Sequence, residues 1–128
     1  MKYGYSRTQT NDSNFKREFE SLKLVGCEQI MFDIIPTYRR YGTHFLEILQ
    51  KGKKGDIIVV YSFGRLCNTL AELSTICAYM MDAKLGLISL KEQINTHTFE
   101  GALFLHSMSE MALDSIVTEY SESLNLKF

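Results

Sequence analysis

Proline occurs once, at Pro36, and no apolar run approaches the ~20 residues that a membrane-spanning helix requires. A chain with 45% apolar and 23% charged residues is not a disordered one, and 128 residues leave room for one compact domain, taken as residues 1–128. Cysteine is scarce as well. Cys27, Cys67 and Cys77 are odd in number and widely spaced, which argues against a disulfide framework or a zinc knuckle and leaves inert packing as their role. The opening Met1-Lys2-Tyr3-Gly4-Tyr5 lacks the apolar core of a secretory signal, so a cytoplasmic, non-membrane protein is expected. No sign of charge dominates: 14 Lys+Arg stand against 15 Asp+Glu, a net charge of −1 that argues against strong non-specific binding to a phosphate backbone. His44, His97 and His106 have no partners at metal-ligand spacing, and Lys51-Gly52-Lys53-Lys54-Gly55 lacks the Lys-Ser/Thr ending of a phosphate loop. Neither a metal nor a cofactor is expected.

What is present is an alternation of strand and helix patterns. Met1 to Arg7 reads as a strand. Phe15, Phe19, Leu22 and Val25 follow at helical spacing until Gly26. Gln29 to Phe32 reads as a second strand closing at Asp33, and residues 34 to 41 as an exposed loop around Pro36. A helix over Gly42 to Gln50 turns Phe45, Leu46 and Leu49 inward. Asp56 to Tyr61 is a continuous β-branched run, the pattern of a strand covered on both faces. A loop over Ser62 to Thr69 leads to a helix over Leu70 to Asp82, packed through Leu70, Leu73, Ile76 and Cys77. A strand follows over Leu85 to Leu90, and the last helix runs from Gly101 to about Ser123. The order predicts an α/β domain: three αβα layers around a mostly parallel sheet of four or five strands, ending in a long helix.

In such sheets, sites form outside the carboxyl ends of the strands. There the pattern places Arg7, then Arg39 and Arg40, then Arg65. Arginines converging on one edge offer rigid forks for phosphate oxygens. From position alone the favoured reading is the plainer one, surface arginines in ordinary ion pairs with Asp12, Asp33 or Glu18. Ser6 and Ser62 read as ordinary polar residues.

The motifs together resemble the catalytic domain of the serine recombinases, the resolvase/invertase family. Tyr5-Ser6-Arg7-Thr8-Gln9 stands where that family has Tyr-x-Arg-x-Ser. Leu22 to Cys27, Asp33, Arg39 and Phe45 to Leu49 follow in its order. Gly55 to Val60 leads to Gly64-Arg65-Leu66-Cys67-Asn68-Thr69, where the family has Asp-Arg-Leu-x-Arg-Ser, and Ile94-Asn95-Thr96 with Gly101-Ala102-Leu103-Phe104 resembles its entry into a long interface helix. The resemblance implies a DNA strand-exchange domain in which a serine attacks the phosphodiester. It also implies the site residues: Arg7, Arg39 and Arg65 to hold phosphate, Gln9 at the nucleophile position, and Gly64 and Asn68 at the positions of an aspartate and an arginine. A carboxamide is not a nucleophile, so the chain is expected to keep the scaffold without the cutting chemistry, in an interaction or regulatory role or as a relic. The alternative is an active recombinase or invertase subunit using a non-standard nucleophile such as Thr10.

In the family the outer part of the last helix carries DNA-contacting arginines and leads to a helix-turn-helix domain. Asp114 to Glu122 here has three acidic residues and no basic one, and no such reader domain is expected within the chain. DNA contact by this chain alone is therefore expected to be weak. The apolar stripe Leu105, Met108, Met111, Ala112, Ser115 and Ile116 either packs on the domain's own sheet or, as the resemblance implies, forms an interface in a homodimer or in a hetero-oligomer with a related recombinase. A nucleotide-binding or phosphatase-like module is a third reading, disfavoured because no glycine-rich cradle follows the first strand.

Overall fold

A computed structural model describes residues 1–8, 15–34 and 42–123, with side chains as far as 112. The elements in order are β1 (Lys2–Thr8), α1 (Phe15–Leu24), β2 (Gln29–Ile34), α2 (Thr43–Lys51), β3 (Ile57–Val60), a 3-10 turn (Phe63–Arg65), α3 (Leu70–Ala83), β4 (Gly86–Ser89), β5 (Ile94–Asn95) and α4 (Phe99–Ser123). They form one five-stranded sheet of order β2-β1-β3-β4-β5, with β5 antiparallel to β4 and every other pairing parallel. The α/β fold with a mostly parallel sheet is as the sequence predicts. The two-residue β5 is the strand that its short polar surroundings concealed.

Strand β1 is central and buried along its interior, so its alternate side chains meet two different layers. Tyr3 and Tyr5 enter the main core with Phe45 and Ile48 of α2, Ile58 and Val60 of β3, Ile76, Cys77 and Met80 of α3, and Met108 of α4. The Tyr5 and Phe45 rings lie 5.0 Å apart, tilted at 43°. Ser6 points to the other face, where it meets Glu18 of α1. α4 lies chiefly against α3.

Three helix faces differ from the periodic reading, each for a local reason. On α2, Ile48 is fully buried while Leu46 is 44% exposed, because Phe45 and Ile48 set the inward phase and Leu46 falls about 100° away from Phe45. Leu70 is 58% exposed, since it opens the first turn of α3 before that helix reaches the core. Val25 lies beyond α1 and is exposed, the chain having turned at Gly26 with φ +88°.

Helix α2 has no cap of its own: Gly42 occupies the N-cap position. Asp33, at the end of β2, caps it across the chain. Its Oδ1 accepts from the His44 backbone N–H at 3.1 Å and lies 2.8 Å from His44 Nδ1. Its Oδ2 accepts from the Phe45 N–H at 3.1 Å and from the Tyr5 hydroxyl at 2.7 Å. A Cβ at position 42 would fall on this carboxylate, so glycine is what permits the approach. Burial opposes ionisation of Asp33, but the bonds from Tyr5, His44 and Phe45 outweigh it and hold the carboxyl below its usual range. Burial, followed by the bond to Asp33, pushes the Tyr5 phenol far above its ordinary value, so it stays a donor.

Asp33→Asn is expected to lower the unfolding free energy by about 1–3 kcal/mol at neutral pH, measured by urea denaturation. Because the folded-state pKa of Asp33 is depressed, its contribution is complete above the unfolded value of about 3.9 and is lost as pH falls through the folded one. The gap between wild type and variant should therefore narrow in acid; a gap independent of pH would contradict this.

Candidate functional site

With the order β2-β1-β3-β4, the chain leaves β1 toward β2 on one side and leaves β3 toward β4 on the other, and in such sheets the ligand crevice opens beyond the carboxyl ends of the two strands where the direction reverses, here β1 and β3. β1 delivers Arg7 to that crevice, buried to 6% exposure. β3 delivers the turn Phe63–Arg65. This turn is fixed from three sides. Leu66 behind it is buried in the core. The Phe63 N–H donates to Glu92 Oε1 at 3.1 Å, a carboxylate that also takes a short bond from the Ser89 hydroxyl at the end of β4. The Phe63 ring stacks on Phe104 of α4, with centroids 5.4 Å apart.

The two arginines then meet. Arg65 Nη1 lies 3.5 Å from the Arg7 carbonyl oxygen, and Arg7 Nη2 donates to Asn68 Oδ1 at 2.6 Å. Asn68 is steadied by the start of α3: its backbone N–H donates to Glu72 Oε2 at 2.9 Å, while Thr69 Oγ1 accepts from the Glu72 N–H at 3.2 Å, a variant of the capping box. Arg65 Nε donates to Glu18 Oε1 at 2.8 Å, and the Ser6 hydroxyl donates to Glu18 Oε2, also at 2.8 Å. Gly64 is exposed at the rim. A Cβ there would meet only Ser62 Oγ, at an ordinary 3.7 Å, and its φ is not in the left-handed region, so neither space nor backbone requires glycine.

Of the residues singled out from the sequence, Arg7, Gly64, Arg65 and Asn68 come together at this edge. Gln9, Thr10, Arg39 and Arg40 lie outside the described residues, as does the side chain of Ile116. The stripe on α4 divides. Met108 and Ala112 are buried by the chain's own packing and are not surface residues, Leu105 is half-buried against the core, and Met111 is 43% exposed. The helix turns Phe99 and Leu103 outward as well.

Two features carry no motif and emerge from the fold. Ser6 is not an ordinary polar residue but the partner of a buried carboxylate. Glu18, one of the acids offered from the sequence as an ion-pair partner for the arginines, does pair with Arg65; what that reading missed is its burial, at 5% exposure, signalled by its place on the α1 stripe between Phe15, Phe19 and Leu22, where an acid is out of keeping with its neighbours. The pairing of Asp33 with His44 likewise joins residues that no spacing rule links.

Electrostatically, the site is an arginine pair already engaged by internal acceptors. Buried Cys67 beside it is inert, its thiol pushed up to about 11 by burial, with Arg7 a smaller opposing influence. Cys77 is pushed up to about 12, again chiefly by burial. Among the described residues, no group of three or more His, Cys, Asp or Glu is placed to hold a metal ion, and no helix is long and apolar enough to cross a membrane.

A family model described as "Resolvase, N terminal domain" matches residues 2–115. The chain is 30% identical over 112 residues to the serine recombinase gin of Escherichia phage Mu, covering 88% of this chain and 58% of that protein. It is 29% identical over 112 residues to a DNA-invertase of Escherichia phage P1, covering 88% of this chain and 60% of that one. The chain thus spans less than two thirds of the length of these relatives. In shape it superposes on the crystal structure of the N-terminal catalytic domain of TP901-1 integrase with a TM-score of 0.65 at 19% identity, covering 97% of this chain and 98% of that one. A resolvase family site-specific recombinase from Streptococcus pneumoniae gives 0.54 at 16% identity, with 96% and 94% covered.

Arg65→Met removes the partner of a buried carboxylate and is expected to cost about 2 kcal/mol of unfolding free energy. Lys51→Met, which breaks the exposed i,i+4 pair with Glu47 at 2.9 Å, should cost less than about 0.5 kcal/mol. Urea denaturation of the two variants checks the order; equal losses would contradict the burial argument.

Proposed function

The chain belongs to the resolvase N-terminal domain family, matched over residues 2–115, and from that premise we propose that it is a recombinase-type domain without strand-cleaving activity, acting through association. The observation that carries the reading is Gln9. The resemblance places it where a serine hydroxyl must bond to DNA phosphorus, and an amide side chain can neither attack nor be displaced there. Gly64 and Asn68 support it from the same site, standing where the family has an aspartate and an arginine. Arg7 and Arg65, with Arg39, remain as phosphate-holding residues, so contact with DNA is retained in weakened form.

The experiment is to incubate the protein with supercoiled DNA carrying candidate recombination sites and to look for covalent protein–DNA adducts on a denaturing gel. None is expected. Adducts that disappear in Thr10→Ala would instead make the chain a working recombinase with a threonine nucleophile.

The partner surface proposed is the outer face of α4, where Leu103 is 58% and Met111 43% exposed. Its occupant is a second copy of the domain or a related recombinase, and the apolar positions on a long helix support that choice. Leu103→Asp with Met111→Asp should shift the sedimenting species toward monomer without loss of secondary structure. A wild type that is monomeric at every concentration, and that is not retained by a related recombinase, would remove the interface.

A further inference from the structure

The Glu18–Arg65 contact has a meaning that the fold alone does not require. A carboxylate at 5% exposure pays heavily in lost hydration, and this one is satisfied by two donors: Arg65 Nε and the Ser6 hydroxyl, each at 2.8 Å. The Ser6 hydroxyl, on a residue 2% exposed, fixes the carboxylate against β1 so that its other oxygen faces the guanidinium. Arg65 in turn has Nη1 directed at the Arg7 carbonyl, at 3.5 Å. Glu18 therefore places a full negative charge on the guanidinium that an incoming phosphate would use. To bind strongly, phosphate must either draw Arg65 away, leaving Glu18 buried with one neutral donor, or accept a guanidinium whose charge is already balanced.

We propose that Glu18 is an internal competitor for the anion site at Arg65, keeping phosphate affinity low in the free domain. The proposal rests on the reading that Arg7 and Arg65 face phosphate, and it adds the group that sets how tightly they do so. Glu18 is a positioning and affinity-setting residue, not a catalytic one.

The test uses the full chain and inorganic phosphate, followed by the NMR signal of the Arg65 Nε–H. In Glu18→Gln the amide oxygen still accepts from Arg65 Nε and the amide NH2 donates to the Ser6 hydroxyl, so both contacts persist, the second with its direction reversed, while the charge is lost. Phosphate should then bind about tenfold more tightly than to wild type, the order of one close charge pair. Glu18→Asp, which restores the charge, should bind as weakly as wild type. Equal affinity in wild type and Glu18→Gln, or weaker binding in the variant, would overturn the proposal, and a purely structural salt bridge predicts that equality. If Glu18→Gln does not fold, Glu18→Ala takes its place with the same expected gain in phosphate affinity, and a wild-type Arg65 signal that shifts and saturates below the low-millimolar range removes the proposal. Equal affinities would leave the argument from Gln9 intact, whereas covalent DNA adducts would end the non-cleaving reading without touching this one.

Discussion

Strand β1 receives packing on both faces, and the rest of the domain is organised by what its alternate residues meet. On one side Tyr5 reaches Phe45 and Asp33, and so ties the centre of the sheet to β2 and to the first turn of α2. On the other, Ser6 reaches Glu18 and, through it, Arg65 on the turn after β3. Both connections are buried polar bonds. In a dry interior such a bond costs little while complete and much when one member is missing, so each fixes the relative placement of three elements. The candidate site stands on these two anchors.

The fold was readable because its signals are local. The β-branched run Ile57–Val60 identifies a strand buried on both sides, and the spacing of Leu73, Ile76 and Cys77 identifies the face of α3. Legibility failed where a boundary or a contact depends on distant chain. Nothing near Leu46 indicates that Ile48 takes the inward position, because that phase is set by a core assembled from five other elements. β5 is two residues long and owes its existence to pairing with β4, not to its own propensity.

The site was half legible for the same reason. Motif order located Arg7, Arg65, Gly64 and Asn68, and the structure brings those four to one edge. The carboxylate that answers Arg65 comes from α1, 47 residues earlier in the chain, and the carboxylate that caps α2 comes from β2. Both are acids serving as internal counter-charges. In composition they are indistinguishable from solvated surface acids, and only burial separates the two kinds.

The turn at Gly64 bears on the history of this scaffold. Its backbone is one that any amino acid adopts, and the space beside its Cα is open apart from the Ser62 hydroxyl. The glycine is thus not a geometric necessity to which neighbouring residues have been fitted. A Cβ would enter the position at ordinary contact distance, so the backbone of this loop sets no ratchet against a side chain there.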